Sequence, residues 1–258
     1  MSLNKAKTFT ITSTKGGVGK TITTLNLAGM YEKLGKKVLI IDLDFYSGDV
    51  AASLNVKVKK DLYNMYEDIT NNKFTNIEDY ICIYDEYIHV LASPKDPRFG
   101  RKIGNKILNL ILYKCGFKYD VILIDTNHIL TDINLFALDY SDCILYIMNN
   151  DLMNLKGMKS MISIMRDMNK NNYKIIMNKS TCRDRNYFNK SDIRNIINKN
   201  MNYIIPESFN IKLIDRYTLN GKILTLEKNI IKKHKKAIKI FDMIAKDLLK
   251  ESKGEEDG

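Results

Sequence analysis

The chain has 258 residues, 45% of them hydrophobic and 28% charged, which is ordinary for one large soluble α/β domain. No apolar run approaches the roughly 18 residues that span a bilayer, so the composition excludes an integral membrane protein. The net charge of +11 is concentrated in Lys174–Lys236, where 15 Lys and Arg stand against 5 Asp and Glu. This asymmetry favours an anionic partner, nucleic acid or an acidic membrane surface, unless it reflects only a Lys-rich composition.

Short β-branched apolar runs alternate with longer amphipathic stretches, a pattern typical of βαβ units. It predicts an α/β fold with a mostly parallel twisted sheet of about seven to eight strands and helices on both faces. The predicted strands are Thr8–Ser13, Lys37–Asp42, Ile88–Ala92, Val121–Asp125, Cys143–Met148, Tyr173–Asn178 and Tyr203–Ile205. The predicted helices are Lys20–Leu34, Arg101–Cys115, Met153–Asn169, Ser191–Asn198 (with Ser191 as the N-cap) and Ile231–Lys250. We expect one domain over residues 1–252 and a short acidic disordered tail over 253–258.

Targeting and cysteine signals both point to the cytoplasm. Met1–Thr14 lacks the apolar core of a secretory signal and already has the pattern of a strand. The four cysteines lie far apart without a C-x-x-C pair, which argues against a zinc site and favours buried, reduced thiols at Cys115 and Cys143. An iron–sulfur cluster shared between two subunits would need only scattered cysteines, so it stays open.

A glycine-rich segment follows the first predicted strand and precedes a helix. It contains Gly16, Gly17, Val18, Gly19, Lys20 and Thr21. The glycines let backbone N–H groups point at a phosphate, and the helix N-terminus adds partial positive charge. In such a P-loop Lys20 neutralises the β- and γ-phosphates and the Thr21 hydroxyl binds Mg²⁺. The segment therefore predicts a site for ATP or ADP with Mg²⁺, and Ile22 extends it into the helix.

The loop departs from the standard motif at its start, where Thr14 replaces the first glycine and Lys15 adds a second lysine. Two lysines in one loop repel each other unless several phosphate charges lie between them. Lys15 to Thr21 resembles the K-G-G-x-G-K-[ST] pattern of the deviant Walker-A ATPases of the ParA/MinD family. The resemblance implies a P-loop NTPase fold and a homodimer that forms on ATP binding. It also implies that Lys15 reaches the partner's nucleotide and stabilises charge during phosphoryl transfer.

Three carboxylates end predicted strands at the edge where parallel sheets bind ligands. Asp42 and Asp44 follow the second strand, and Asp125 ends the apolar run 121–124. Asp125 matches a Walker-B acid that binds Mg²⁺ through water, and Asp42 is a further candidate at the metal. Asp44 corresponds to the family's catalytic aspartate, which orients or deprotonates the attacking water; the alternative is a helix-capping loop carboxylate.

The segment after Asp125 departs from the family, because Thr126-Asn127-His128 lacks the usual Pro and Gly. We therefore expect altered switch-II mechanics and slow hydrolysis without a partner, and we interpret His128 as a loop residue. A predicted base pocket lies further along the chain. Asn178 ends a strand with an amide that can meet the adenine edge, or it only forms a turn. Pro206 and Glu207 match the family's second base-pocket element.

Two stretches resemble the pilus-assembly branch of the family, CpaE and TadZ. Asp42–Ala51 is similar to that branch's D-L-D-x-x-x-G-D-x-A pattern, and the region leading to Val90–Pro94 is similar as well. The tyrosine cluster of the related kinases and the C-x-x-C of the iron–sulfur carriers are missing. The C-terminal helix has Ile238, Phe241, Ala245 and Leu248 at helical spacing, which favours docking on the sheet over a peripheral membrane anchor.

The run Lys232–Lys236 is predicted near the start of that helix, where the helix dipole does not favour cations. With Arg183, Arg185, Arg194 and Arg216 it could form a face for non-specific DNA. The expected function is thus a Mg²⁺-dependent ATPase that positions cargo through a protein partner of a pilus, secretion or DNA-partitioning system. The alternatives are a metal-cofactor maturation ATPase and a nucleotide-locked scaffold with negligible hydrolysis.

Overall fold

A computed structural model describes residues 4–181 and 188–250, apart from the side chain of Asp49. The acidic tail, Cys182, Arg183 and Arg185 lie outside these ranges. The strands are β1 (Lys7–Thr12), β2 (Val38–Leu43), β3 (Ile81–Ile83), β4 (Ile88–Leu91), β5 (Val121–Thr126), β6 (Cys143–Met148), β7 (Tyr173–Asn178) and β8 (Tyr203–Ile205). The helices are α1 (Lys20–Lys33), α2 (Asp49–Ser53), α3 (Leu62–Thr70), α4 (Asn105–Cys115), α5 (Asp132–Tyr140), α6 (Leu152–Asp167), α7 (Lys190–Ile197), α8 (Ile214–Leu219), α9 (Lys228–Lys233) and α10 (Lys235–Lys250).

The eight strands form one sheet in the order β3-β4-β2-β5-β1-β6-β7-β8. Every pair is parallel except β3–β4, which is antiparallel. Strands β2, β5 and β6 are buried at every residue, because helices cover both faces of the sheet. This confirms the predicted fold class. The parallel strands place the ends of β1, β2, β5 and β7 along one edge, where the phosphate loop lies.

Several short elements were not predicted, namely α2, α3, β3, α5 and α8. Helix α3 begins at a capping box. The Asp61 side chain accepts hydrogen bonds from the backbone of Tyr63 and Asn64, and the Asn64 side chain accepts one from the Asp61 backbone. The predicted N-cap Ser191 was wrong by two residues. Asn189 caps α7, because its side chain accepts from Ser191 and Asp192 while Asp192 accepts from the Asn189 backbone.

The predicted helix 231–250 is two helices, because His234 leaves the helical conformation between α9 and α10. Lys232 and Lys233 therefore lie in the last turn of α9, where the helix dipole favours cations, and Lys235 and Lys236 begin α10. The apolar face of α10 packs against α1 and β8, which confirms docking on the body of the domain.

The described cysteines Cys82, Cys115 and Cys143 are buried, as predicted for Cys115 and Cys143. None of the described helices combines the length and the apolar character needed to cross a bilayer.

Candidate nucleotide-binding site

The phosphate loop runs from the end of β1 to the start of α1, and two of its glycines have conformations that favour glycine. Gly17 has φ +72° with open space where a Cβ would stand. Gly19 has φ +91°, and a Cβ there would lie 2.6 Å from Nδ2 of Asn178. The Ser13 hydroxyl donates to the Lys15 carbonyl at 2.7 Å and ties the start of the loop. The cradle is thus built from backbone conformations that favour glycine at both points, with a steric clash added at Gly19.

Walker-A and Walker-B residues meet directly in the structure. The Thr21 hydroxyl donates to Oδ2 of Asp125 at 2.6 Å, and Thr24 donates to Oδ1 at 3.2 Å. Lys20 is buried beside them, and its charge lowers the pKa of Asp125. Burial nevertheless raises that pKa to about 7. Thr24 was missed by sequence reasoning, although it lies one helical turn beyond Lys20 and Thr21.

A hydroxyl and a carboxylate at hydrogen-bond distance fit a hard cation such as Mg²⁺, which keeps several water ligands and shares phosphate oxygens. Within residues 4–181 and 188–250 no three His, Cys, Asp or Glu side chains group as a protein-only metal site. The donor set therefore fits a cation held jointly by Thr21, Asp125 and a nucleotide.

Asp42 is fully buried beside Asp125, its register partner across β2 and β5. Its Oδ1 accepts from the Asp44 backbone at 3.0 Å, and its Oδ2 accepts from Val50 and Ser93 at 3.2 and 3.3 Å. Burial raises the pKa of Asp42 well above its usual range, and the Asp125 charge adds to the rise. These contacts make Asp42 an organiser of the loop after β2; its place at the metal stays a prediction.

Asp44 lies at the start of that loop and is half-buried. Its Oδ1 accepts from the backbone of Tyr46 and Ser47 at 3.3 Å each, and its carbonyl accepts from Gly48 at 2.8 Å. Within the described residues its Oδ2 accepts no hydrogen bond. One carboxylate oxygen therefore holds the loop, and the other is available to a water.

Lys15 does not extend freely from its loop. Its Nζ lies 3.1 Å from Oδ2 of Asp151, which also caps α6 by accepting from the Asn154 backbone. Burial opposes ionisation of Asp151, but the hydrogen bonds from Asn154 and Lys15 hold its pKa below the usual value. No sequence motif had indicated Asp151.

The side chain of Thr14, which replaces the first glycine of the standard loop, packs against Gly157 of α6. A Cβ on Gly157 would lie 2.7 Å from the Thr14 hydroxyl and 2.9 Å from its Cβ. Thr14 stands where the standard phosphate loop has glycine, and Gly157 on α6 leaves the space that the larger threonine side chain needs.

The predicted base-pocket residues take two different positions. Asn178 donates to the Val18 carbonyl at 2.9 Å and accepts from Ser180, so it braces the phosphate loop and keeps only one N–H for a base. Pro206 precedes a short 3-10 turn, and Glu207 lines a cleft of about 550 Å³ with residues of α8 and α9. Ile22 packs against the core from α1.

The segment after β5 is held by an amide network. Asn134 donates to the side chain of Asn127 at 3.0 Å and to the carbonyl of Ile129 at 2.8 Å, while Asn127 accepts from the Ile129 backbone. His128 is exposed, and a Cβ on Gly16 would lie 3.7 Å from its Nδ1. Side-chain amides thus hold the segment after Asp125, which contains neither Pro nor Gly between β5 and α5.

Known proteins resemble this chain in sequence. A family model described as an AAA domain matches residues 6–179, more than half of the chain. The chromosome-partitioning ATPase Soj of Thermus thermophilus is 38% identical over 63 residues, which cover 24% of this chain and 25% of Soj. The matched regions span only 25%, 43% and 65% of the length of three curated relatives.

Two solved structures extend the likeness over nearly the whole chain. The septum site-determining protein MinD of Pyrococcus horikoshii, solved with Mg-ADP, has a TM-score of 0.75 at 22% identity, covering 96% of this chain and 97% of that one. The MinC:MinD complex of Aquifex aeolicus gives a TM-score of 0.72 at 26% identity, covering 95% and 96%. With its deviant phosphate loop at Lys15–Thr21, the chain belongs to the ParA/MinD superfamily of P-loop ATPases.

Proposed function

We propose that the protein is a Mg²⁺-dependent ATPase that dimerises around ATP and acts as a positioning switch. The hydrogen bond of 2.6 Å between Thr21 and Asp125 carries the proposal. It joins residues from two distant motifs at the one place where a phosphate-bound cation needs both. The Mg-ADP in the related MinD supports the same cofactors.

Each residue has a role that follows from its position. The backbone of Gly16–Gly19 and the buried Lys20 neutralise the phosphates, while Thr21 and Asp125 would hold Mg²⁺, which supplies charge neutralisation. Asp44 orients the attacking water with the carboxylate oxygen that its own loop leaves available. Lys15 stabilises charge on the nucleotide of the partner subunit, which requires it to leave Asp151.

Light scattering with ATP, ADP or no nucleotide tests the proposal. We expect a dimer only with ATP, no dimer for Lys15→Ala, no nucleotide binding for Lys20→Ala, and a persistent ATP dimer for Asp44→Ala. Lys36→Ala is the matched control, because Lys36 also forms a half-exposed ion pair of 3.1 Å, with Asp120. A monomeric ATP complex in the wild type would overturn the switch.

The exposed positive charge near the C-terminal helices supports an anionic partner. Lys232, Lys233, Lys235 and Lys236 are all exposed around the break between α9 and α10. We propose that this region binds the phosphates of DNA, as a partitioning ATPase would require, or an acidic face of a pilus or secretion protein of the CpaE/TadZ kind. Anisotropy with duplex DNA and ATP should show affinity falling steeply between about 50 and 200 mM salt. Binding that ignores salt would overturn the DNA assignment.

A second candidate is a scaffold that binds ATP but hydrolyses it negligibly. The amide network of Asn127, Asn134 and Ile129 favours it, because this network ties down the segment that would have to respond to the γ-phosphate. Single-turnover hydrolysis of bound ATP separates the scaffold from the switch. Metal analysis of the purified protein tests the maturation ATPase.

A further inference from the structure

The loop that carries Asp44 is gripped by a segment outside the nucleotide motifs. This grip segment, defined here as residues 93–104, follows β4 and includes a 3-10 turn over Pro97–Lys102. It contacts the loop at two points, and neither contact involves a residue of the phosphate loop.

The first contact joins Phe45 and Gly100. Both are buried, and a Cβ on Gly100 would lie 2.5 Å from the Cβ of Phe45 and 3.0 Å from its ring. Real Cβ atoms do not approach so closely, so a side chain at Gly100 has to displace Phe45. Phe45 directly follows Asp44, and a displacement of its backbone moves the carboxylate.

The second contact joins Gly48 and Ser93. Gly48 has φ +60°, and a Cβ there would lie 2.6 Å from the Ser93 hydroxyl. The same hydroxyl donates to Asp42, which accepts from the Asp44 backbone. The loop is thus held at its start through Phe45 and at its end through Gly48.

We propose that the grip segment positions Asp44, with Gly100 as the principal positioning residue through its contact with Phe45. The inference rests on the proposed function for its catalytic consequence, but not for the grip itself. Gly100 acts because its missing side chain leaves room for Phe45. Its backbone conformation is not the reason, since its φ lies outside the left-handed region and alanine could adopt it.

Hydrogen–deuterium exchange tests the grip without any reaction. The backbone N–H groups of Asp44, Tyr46 and Ser47 are hydrogen-bonded to the side chains of Asp42 and Asp44. In Gly100→Ala we expect these groups to exchange about tenfold faster or more, because opening of the loop becomes easier. Gly104→Ala is the matched control in the same segment, since a Cβ there meets nothing within 4 Å. Phe45→Ala, which removes the ring and keeps Gly100, should also speed exchange.

ATP turnover tests the consequence for Asp44. Gly100→Ala should lower kcat by about tenfold to a hundredfold with unchanged ATP affinity, because a displaced group loses rate more than binding. Gly104→Ala should match the wild type. In an Asp44→Asn background Gly100→Ala should cause no further loss, because both changes then remove the same contribution.

The outcomes separate the two ideas. Unchanged loop exchange in both Gly100→Ala and Phe45→Ala overturns the grip. An equal loss of kcat from Gly100→Ala in the Asp44→Asn background overturns the positioning of Asp44, because Gly100 would then act through another group. If loop exchange rises but the wild type shows no turnover, the grip stands and the proposed ATPase fails.

Discussion

Nζ of Lys15 lies 3.1 Å from Oδ2 of Asp151 in the same subunit. The residue expected to act on the nucleotide of the partner subunit therefore forms an ion pair within its own subunit. In the proposed ATP dimer this ion pair has to break, so its strength enters the free energy of dimer formation. Lys15 is 43% exposed and Asp151 is 12% exposed, which places the pair among modest, partly screened interactions.

Asp151→Asn should therefore strengthen the ATP dimer. Asparagine caps a helix as well as aspartate, so α6 keeps its cap while Lys15 is released. Loss of a pair worth about 0–1 kcal/mol in each subunit, thus about 0–2 kcal/mol per dimer, favours the dimer by up to roughly thirtyfold. Light scattering over a range of protein concentrations measures the shift. A weaker dimer would mean that Asp151 is needed in the dimer itself.

Gly157→Ala should have opposite effects in two backgrounds. Alanine favours a helix interior by about 1 kcal/mol, but here it overlaps Thr14 at a cost of about 1–3 kcal/mol. In the wild type the substitution should be neutral or destabilising. With Thr14→Gly, which restores the standard first glycine, it should stabilise by about 1 kcal/mol. Urea unfolding of the four proteins measures the coupling; additive effects would show that the two residues do not compete for space.

Asn178→Asp should weaken nucleotide binding through the phosphate loop. The substitution replaces the N–H that donates to the Val18 carbonyl by an oxygen, at a site that is 3% exposed. An unpaired buried carbonyl beside a carboxylate should cost about 1–3 kcal/mol of stability. Titration with a fluorescent ADP analogue and urea unfolding measure both effects. Asn210→Ala is the control, since Asn210 donates to the Ser180 carbonyl from an exposed position. Equal losses in both variants would contradict a special role for Asn178.

Asp125→Asn should stabilise the nucleotide-free protein in a pH-dependent way. Burial raises the pKa of Asp125 from 3.8 to about 7. The protonated carboxyl therefore favours folding fully below about pH 4, and this contribution is lost as pH rises through about 7. Without Mg²⁺, the gain in Tm from Asp125→Asn should be larger at about pH 8 than at about pH 4. Mg-ATP should raise the Tm of the wild type but not of the variant. A gain that does not change with pH would exclude ionisation as the cause.

The sequence predicts elements with a strong apolar period and loops with several glycines. It does not predict contacts between residues that lie far apart in the chain and belong to no motif. The fold follows from the apolar runs of β2, β5 and β6 and from the glycines that shape the turn before α1. Short elements such as α3 and β3 carry too few residues for a period to stand out. Asp151 and Gly100 act through neighbours that only the fold supplies, so no local pattern marks them.

The break at His234 escaped prediction for a different reason. The apolar period of α10 continues back through Ile231, and the sequence shows no Pro or Gly that would interrupt it. The kink becomes visible only through the backbone conformation of His234 and its edge-on contact with Phe209.

The gap that Gly157 leaves for Thr14 has a consequence for evolution within this superfamily. We expect that chains with glycine at the start of the phosphate loop can carry a larger residue at the matching place on the facing helix, and that chains with threonine cannot. The two positions should therefore co-vary across homologues, and a phosphate loop transplanted from this protein into another scaffold should succeed only with a helix that offers the same vacancy.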